Sequence, residues 1–237
     1  MKFESKEQLR DFILTKGCFD EADNLRIYEK YFREFFQREK ELRNIFDFEN
    51  KKVLYIGSSY GRNLIHFPQG SIGVEVQPRM VKFARSLGLE AISANIEDHI
   101  PVESSSFDVI YCRDVLEHMV APHKILVEFH RILRPDGKLV LDVRNMDGIN
   151  SKYWDYPEHL YSFNENSIRY LLKRAGFKIK RHIIMNQKLS KIINHVIYEN
   201  ILVNFMPAIC VEAEIIPEFN YNKERLEIFS PSWLRKA

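Results

Sequence analysis

The feature that most constrains this chain is the regular alternation of short apolar runs and amphipathic segments between residues 51 and 177. Runs typical of strands recur there as KKVLYIG, SIGVEV, GLEAISA, FDVIYC and GKLVLDV. Segments with helical periodicity lie between them, MVKFARSLG and PHKILVEFHRILRPDG, and they end at glycine or at Pro-Asp-Gly. This alternation predicts a Rossmann-like α/β fold with a doubly wound, mostly parallel sheet.

Both flanks of this alternating region add further elements. Residues 1–50 read as a helical segment, and their recurring aromatic side chains suit either core packing or a lid over a site. After the core, which we place at residues 51–184, NENSIRYLLKRAGF predicts a helix that begins at Asn164 and ends at Gly176. The runs FKIKRHIIM and AICVEAEI bring the predicted sheet to seven strands, so residues 185–237 should complete the same domain with a helix and the last strand.

Composition excludes several classes of protein. The 237 residues carry 35 basic and 33 acidic side chains, a balance that argues against nucleic-acid binding through a broadly basic face. The three cysteines are far apart in the chain, which indicates neither a disulfide framework nor a zinc knuckle. Apolar runs are too short for a membrane span, and the charged N-terminus does not resemble a signal peptide. We therefore expect a cytoplasmic protein that is not inserted in a membrane.

Two features at the ends of the first strands point to a ligand. VLYIGSSYGRNL places Gly57 at the end of the first strand, and the turn with the following helix N-terminus could receive a carboxylate or phosphate. Glu75 ends the second strand, eighteen residues after Gly57, where a carboxylate can accept hydrogen bonds from ribose hydroxyls. The pair predicts an adenosine-containing cofactor. Ser59 occupies the middle glycine position of the nicotinamide fingerprint, which disfavours NAD without excluding it.

At this point the chain resembles the class I S-adenosylmethionine-dependent methyltransferases, in order, from about Val53 to Phe177. VLYIGSSYGRNL is similar to their glycine-rich motif, and GVEVQPRMVKFAR to the ribose-binding strand with its helix. ANIEDHIPVESSSFDVIYCRDVLEHM resembles the adenine loop and fourth strand, and EFHRILRPDGKLVLDV the passage into the fifth. KYWDYPEHLYSFNENSIRYLLKRAGF is similar to a branch that methylates small molecules such as ubiquinone precursors or sugars.

The resemblance implies S-adenosylmethionine as the cofactor and assigns roles residue by residue. It implies that the methionine end lies against the turn and the end of the fourth strand, at Gly57, Ser58, Ser59, Gly61, Cys112 and Arg113. It implies that the ribose and adenine lie against Glu75, Val76, Asn95 and Ile96. Two positions depart from the family pattern: Tyr55 stands where an acidic residue usually orders the glycine turn, and Ser59 replaces a glycine.

Candidate catalytic groups follow the fourth and fifth strands. His159, in the loop after the fifth strand, is the first candidate to accept the proton of an oxygen or nitrogen nucleophile, and His118 is the second. If the segment from residue 114 is helical, Asp114, Glu117 and His118 share a face, and with His159 they could bind a divalent cation such as Mg²⁺. A similar Glu-Glu-His arrangement occurs in some ubiquinone-pathway and small-RNA O-methyltransferases, whereas other relatives with the same motif need no metal.

These observations predict methyl transfer to a small-molecule acceptor, at oxygen. Trp154, Tyr156 and Tyr161 would form the acceptor pocket, since their rings offer broad apolar faces with a polar edge. Because Tyr55 and Ser59 depart from the family, a cofactor-binding but inactive scaffold or regulator remains an alternative. An NAD-dependent oxidoreductase on a similar sheet is the third reading, and no nucleic-acid-binding module is visible in the sequence.

Overall fold

The computed structural model describes residues 3–17, 35–148, 157–184, 197–198 and 201–219. Within them lie five α-helices: α1 (Lys6–Lys16), α2 (Phe35–Ile45), α3 (Pro78–Ser86), α4 (Pro122–Ile132) and α5 (Glu165–Arg174). The strands are β1 (Val53–Ile56), β2 (Ile72–Glu75), β3 (Ala91–Ser93), β4 (Phe107–Arg113), β5 (Leu133–Arg144), β6 (Phe177–His182) and β7 (Ala208–Ile215).

All seven strands form one sheet in the order β3-β2-β1-β4-β5-β7-β6. The pairs from β3 to β5 are parallel, whereas β7 runs antiparallel to both β5 and β6. The prediction of a doubly wound, mostly parallel sheet is confirmed. Strand order reverses between β1 and β4, and such a reversal opens a crevice at the carboxyl ends of the strands, where ligands bind in folds of this kind.

The two faces of the sheet carry separate hydrophobic cores because alternate strand residues point to opposite sides. Leu54 and Ile56 face the core that packs against α4 and α5. Val53 and Tyr55 face the other core, which includes Phe46 and aromatic residues around it. Since β1 is buried on both faces, its four residues form a continuous apolar run rather than an alternating one.

Local signals determine where several elements begin and end. Asn164 caps α5 through a reciprocal bond with Ser167, as predicted, and Gly176 follows the helix with φ of +88°. The expected helix after the glycine turn is only a 3₁₀ turn, Leu64–His66. Pro68 explains the difference, because it disfavours helical backbone at Phe67, which is extended with ψ of 156°.

The flanking segments are described only in part. Helices α1 and α2 confirm the helical character of the N-terminal segment, but residues 18–34 lie outside the described ranges, as do residues 185–196 in the predicted C-terminal helix. Strand β7 forms where AICVEAEI predicts a strand. Among the described residues, no helix combines the length and apolarity needed to cross a bilayer.

Candidate active site

A cavity of about 340 Å³ opens at the carboxyl ends of β1, β2 and β4, where the strand order reverses. Six residues with a predicted cofactor role line it: Gly57, Glu75, Val76, Asn95, Ile96 and Arg113. The other lining residues are Val74, Ala94, Asp114, Val115, His118 and Met119. A larger cavity of about 580 Å³ lies at the amino ends of β2 and β3, beside α1, and none of the predicted site residues lines it.

The glycine turn brings backbone close to this cavity. Gly57 has φ of +69°, and a Cβ atom there would lie 2.6 Å from Val115 Cγ2, so a larger residue does not fit. The N–H groups of Gly57 and Ser58 donate to the Val74 carbonyl at 2.9 and 3.0 Å. Ser58, Ser59 and Gly61 shape the turn behind Gly57 and are not among the residues that line the cavity.

Glu75 ties this turn to the second strand. Its Oε2 accepts the N–H of Ser59 at 2.9 Å, and its Oε1 accepts the N–H of Gln77 at 3.0 Å. Only 9% of the residue is exposed. A carboxylate has about four acceptor positions, so two bonds leave capacity for hydroxyl donors from a ligand in the cavity. Glu75 therefore orders the turn and presents negative charge to the cavity.

The loop after β3 supplies the wall opposite the turn. Asn95 Oδ1 accepts the N–H of Glu97 at 3.1 Å, which holds the loop in a tight bend. Glu97 Oε1 in turn accepts the N–H groups of Val120 and Ala121, just before α4, at 2.7 and 3.0 Å. No local pattern in the sequence signals Glu97, although this residue joins the predicted adenine loop to the segment after β4.

The end of β4 separates two predicted neighbours. Cys112 is fully buried in the core with Leu54 and Ile56, where burial raises the pKa of its thiol, and it does not line the cavity. Arg113 does line it, and its Nε lies 3.0 Å from Asp142 and 3.4 Å from Asp114. The alternation of side chains along a strand explains why successive residues differ in this way.

Asp142, on β5, is a buried acid that no local pattern in the sequence signals. It is 2% exposed, and burial raises its pKa to about 7 although Arg113 acts in the opposite direction. Arg144 is paired with Asp114 at 3.1 Å. Two carboxylates and two guanidinium groups thus form one network beside the cavity, and this network holds Arg113 in position on the cavity wall.

Three of the four predicted metal ligands meet beside the cavity. One ligand atom from each of Glu117, His118 and His159 can be chosen so that all lie within 4.8 Å of one another. The ring centroids of His118 and His159 are 4.8 Å apart. The Glu117 carbonyl accepts the N–H of Leu160 at 2.7 Å, and this bond holds the loop that carries His159 against the turn after β4. Among the described residues, the fully buried carboxylate of Glu117 has no side-chain hydrogen-bond partner, and burial raises its pKa although the backbone N–H groups of Glu117 and Arg144 act in the opposite direction.

Asp114 is not part of this group. The expected helical face does not form, because Asp114 has φ of +50° and the chain then makes only a 3₁₀ turn, Leu116–His118. Asp114 instead pairs with Arg113 and Arg144. Two imidazoles and one carboxylate suit Zn²⁺ or Mn²⁺ better than Mg²⁺, which prefers oxygen ligands. The donor set therefore does not favour the expected Mg²⁺.

The predicted acceptor pocket is described only at Tyr161. Trp154 and Tyr156 lie outside the described residues. The Tyr161 hydroxyl donates to the Val120 carbonyl at 3.0 Å, its ring stacks on Phe163, and 41% of the residue is exposed. Tyr161 thus fastens the loop that carries His159 to the segment after β4 and leaves part of its ring accessible.

Comparison with known proteins agrees with this architecture. A family model described as a methyltransferase domain matches residues 27–182. A ubiquinone biosynthesis O-methyltransferase of Xanthomonas oryzae pv. oryzae is 32% identical over 110 residues, or 42% of this chain and 45% of that protein. A tRNA U34 carboxymethyltransferase of Syntrophotalea carbinolica is 32% identical over 111 residues, or 42% of this chain and 34% of that protein. The alignments thus span less than half the length of these two relatives.

Solved structures share the fold at low sequence identity. A SAM-dependent methyltransferase of Archaeoglobus fulgidus superposes with a TM-score of 0.59 and 18% identity, over 81% of this chain and 99% of that one. That likeness concerns the fold, whereas the family model covers more than half of the sequence. The chain therefore belongs to the methyltransferase-domain family, and its fold is that of the class I enzymes that depend on S-adenosylmethionine.

Proposed function

We propose that this enzyme transfers the methyl group of S-adenosylmethionine to an oxygen atom of a small-molecule acceptor. The observation that carries the proposal is the cavity at the reversal of strand order, lined on one side by Gly57 and Glu75 and on another by His118. The similarity to a ubiquinone biosynthesis O-methyltransferase supports an oxygen acceptor. The proposal also assigns the enzyme to the cytoplasm, since Cys112 and Cys210 are free and buried.

Each wall of the cavity has a role in holding the cofactor. Glu75 would accept hydrogen bonds from the ribose hydroxyls, while Val76, Asn95 and Ile96 would contact the adenine. Gly57 and Arg113 would lie at the methionine end, where the guanidinium group can pair with a carboxylate. When bound, S-adenosylmethionine supplies an electrophilic methyl group on a positively charged sulfur.

His118 is our first candidate for the base that accepts the acceptor's proton. Its Nδ1 lies 3.2 Å from the Glu158 carbonyl, and a proton on Nδ1 leaves the lone pair of Nε2 available. His118 lines the cavity, whereas His159 lies against its ring and does not line it. We therefore place His159, the stronger candidate from sequence alone, in a supporting position.

A second mode, assisted by a metal ion, follows from the buried carboxylate of Glu117. An uncompensated buried charge is costly, and a cation held by Glu117, His118 and His159 would compensate it. A bound divalent cation would lower the pKa of an acceptor hydroxyl group. In this mode His118 is a ligand rather than the base, so the two modes exclude each other for that side chain.

Turnover to S-adenosylhomocysteine with a panel of phenols, sugars and tRNA tests the proposal. We expect turnover with a phenol or sugar, and a loss of about 10²-fold or more in His118→Ala. His99→Ala is the matched control, because His99 is 63% exposed and pairs with Glu128 away from the cavity. Loss of turnover after chelation, with restoration by Zn²⁺ or Mn²⁺, would favour the metal-assisted mode. Methylation of tRNA alone would contradict the small-molecule acceptor, and binding without turnover on any acceptor would favour the inactive scaffold.

A further inference from the structure

The glycine turn is closed by a hydrogen bond between its two ends. Tyr55 precedes Gly57 on β1, and Asn63 follows Gly61, so together they bracket the turn. Asn63 Nδ2 donates to the Tyr55 hydroxyl at 2.8 Å. Both residues are buried, with 2% and 7% exposure, so water does not compete for this bond. The bond fixes the separation of the two ends and thereby restricts the backbone between them.

The same asparagine is held from outside by the N-terminal segment. Arg38, on α2, donates from its Nε to Asn63 Oδ1 at 3.0 Å, and its Nη1 pairs with Glu41 at 3.0 Å. The Arg38 side chain is 13% exposed. Asn63 immediately precedes the 3₁₀ turn Leu64–His66, yet its side chain makes no capping bond there. Its amide is committed instead to Tyr55 and Arg38.

A neighbouring contact between α2 and the same segment does not add charge attraction. His66 Nδ1 lies 4.0 Å from Glu39, but burial lowers the pKa of His66 to about 3. The imidazole is therefore neutral near pH 7. Arg38 consequently provides the charged link between α2 and the turn among the contacts that the structure describes.

We propose that Arg38, Asn63 and Tyr55 are positioning residues that hold the glycine turn in the conformation that binds the cofactor. They join the two ends of the turn through a neutral hydroxyl and an amide. Burial raises the pKa of Tyr55 to about 12, so the hydroxyl stays neutral. Docking of α2 and binding of the cofactor are then coupled. This inference rests on the proposed cofactor site.

Coupling must act in both directions. If docked α2 strengthens cofactor binding by some factor, bound cofactor stabilises the docking of α2 by the same factor. Amide hydrogen exchange in α2 should therefore slow when S-adenosylhomocysteine binds, although α2 is not among the elements that line the cavity. A purely structural role for the three residues predicts no such response beyond that of the protein as a whole.

Calorimetric titration of the full chain with S-adenosylhomocysteine tests whether Arg38, Asn63 and Tyr55 couple α2 to the cofactor. Asn63→Leu removes both hydrogen bonds and should raise Kd about tenfold. Asn63→Asp keeps an acceptor for Arg38 and one for the Tyr55 hydroxyl, so its Kd should stay within about threefold of wild type. If Asn63→Leu does not fold, Tyr55→Phe replaces it in the test, because this variant keeps the ring stacked on Tyr111. Tyr55→Phe should raise Kd about threefold or more.

Arg181→Met provides the matched control for docking of α2. Arg181 donates to the Ile45 carbonyl at the end of α2 at 3.1 Å and pairs with Glu212 at 2.8 Å, and both of these partners lie outside the turn. The Tm of Arg181→Met should fall, whereas its Kd for S-adenosylhomocysteine should change less than about twofold. A wild-type Kd in Asn63→Leu or Tyr55→Phe would overturn the proposed coupling. So would slowed amide exchange in α2 that still appears in these variants when S-adenosylhomocysteine binds. Failure of the wild-type protein to bind would instead overturn the cofactor site itself.

Discussion

Asp142 should make the stability of this protein fall as pH rises through neutrality. The carboxyl is 2% exposed, and burial raises its pKa from 3.8 to about 7. Because the folded-state pKa is raised, the folded state holds a proton that the unfolded state has already lost. The resulting penalty is absent below the unfolded pKa, grows as pH rises between the two pKa values, and is complete above the folded one.

The size of this effect follows from the shift of about three pKa units. At 1.36 kcal/mol for each unit, the full penalty is on the order of 4 kcal/mol, of which about 3 kcal/mol develops between about pH 5 and pH 8. Asp142→Asn keeps the shape of the side chain and removes the titration. The free energy of unfolding of the variant, relative to wild type, should therefore increase by about that 3 kcal/mol over the same interval.

Urea denaturation at several pH values measures this difference directly. His66 has a lowered pKa and changes stability in the opposite direction, but it is present in both proteins and cancels in the comparison. Arg113 keeps Asp114 as a partner in the variant, at 3.4 Å. Parallel stability profiles for the two proteins would refute the reasoning, because they would show that Asp142 titrates normally in the fold.

Three further predictions concern the turn and the buried glutamate. Ser59→Gly should raise Tm by about 1–3 °C in a thermal melt, because Ser59 has φ of +49°, where an L-residue is strained; a lower Tm would contradict this. Gly57→Ala should lower the free energy of unfolding by about 2 kcal/mol or more in urea, since its methyl group would meet Val115; an unchanged value would mean that the turn relaxes freely. Glu117→Gln should raise Tm in the absence of metal, and this gain should grow with pH because the pKa of Glu117 is raised. The same variant should abolish any rise in Tm that Zn²⁺ causes in the wild-type protein. An unchanged Zn²⁺ response would exclude Glu117 as a ligand.

Local sequence signals predicted the parallel part of the fold and the ends of its elements. Strand β1 and helix α5 were predictable because burial and capping depend on neighbouring residues. The same signals could have shown that no long helix follows the glycine turn, since Pro68 is visible in the sequence. The position of β7 between β5 and β6 depends on long-range pairing, which a single sequence does not reveal.

In the candidate site, too, local signals were predictable and long-range contacts were not. Gly57 and Glu75 were predictable because Gly57 directly follows β1 and Glu75 ends the neighbouring β2, at the carboxyl edge of the sheet. The pair of Arg113 with Asp142 and the bonds of Asn63 join segments far apart in the chain, and no local pattern signals them. The metal candidates were predictable as residue types, but the positive φ of Asp114 and the short 3₁₀ turn after it, which keep Asp114 out of the group, were not.

Titration calorimetry with S-adenosylhomocysteine tests the central claim, that the cavity beside Gly57 and Glu75 holds the cofactor. The wild-type protein should bind, and Glu75→Ala should weaken binding about tenfold or more through lost charge-assisted hydrogen bonds. Glu90→Ala is the control, because Glu90 lines the larger cavity at the amino ends of β2 and β3. This variant should bind S-adenosylhomocysteine like the wild-type protein. Absence of binding by the wild-type protein, or wild-type affinity in Glu75→Ala, would contradict the account.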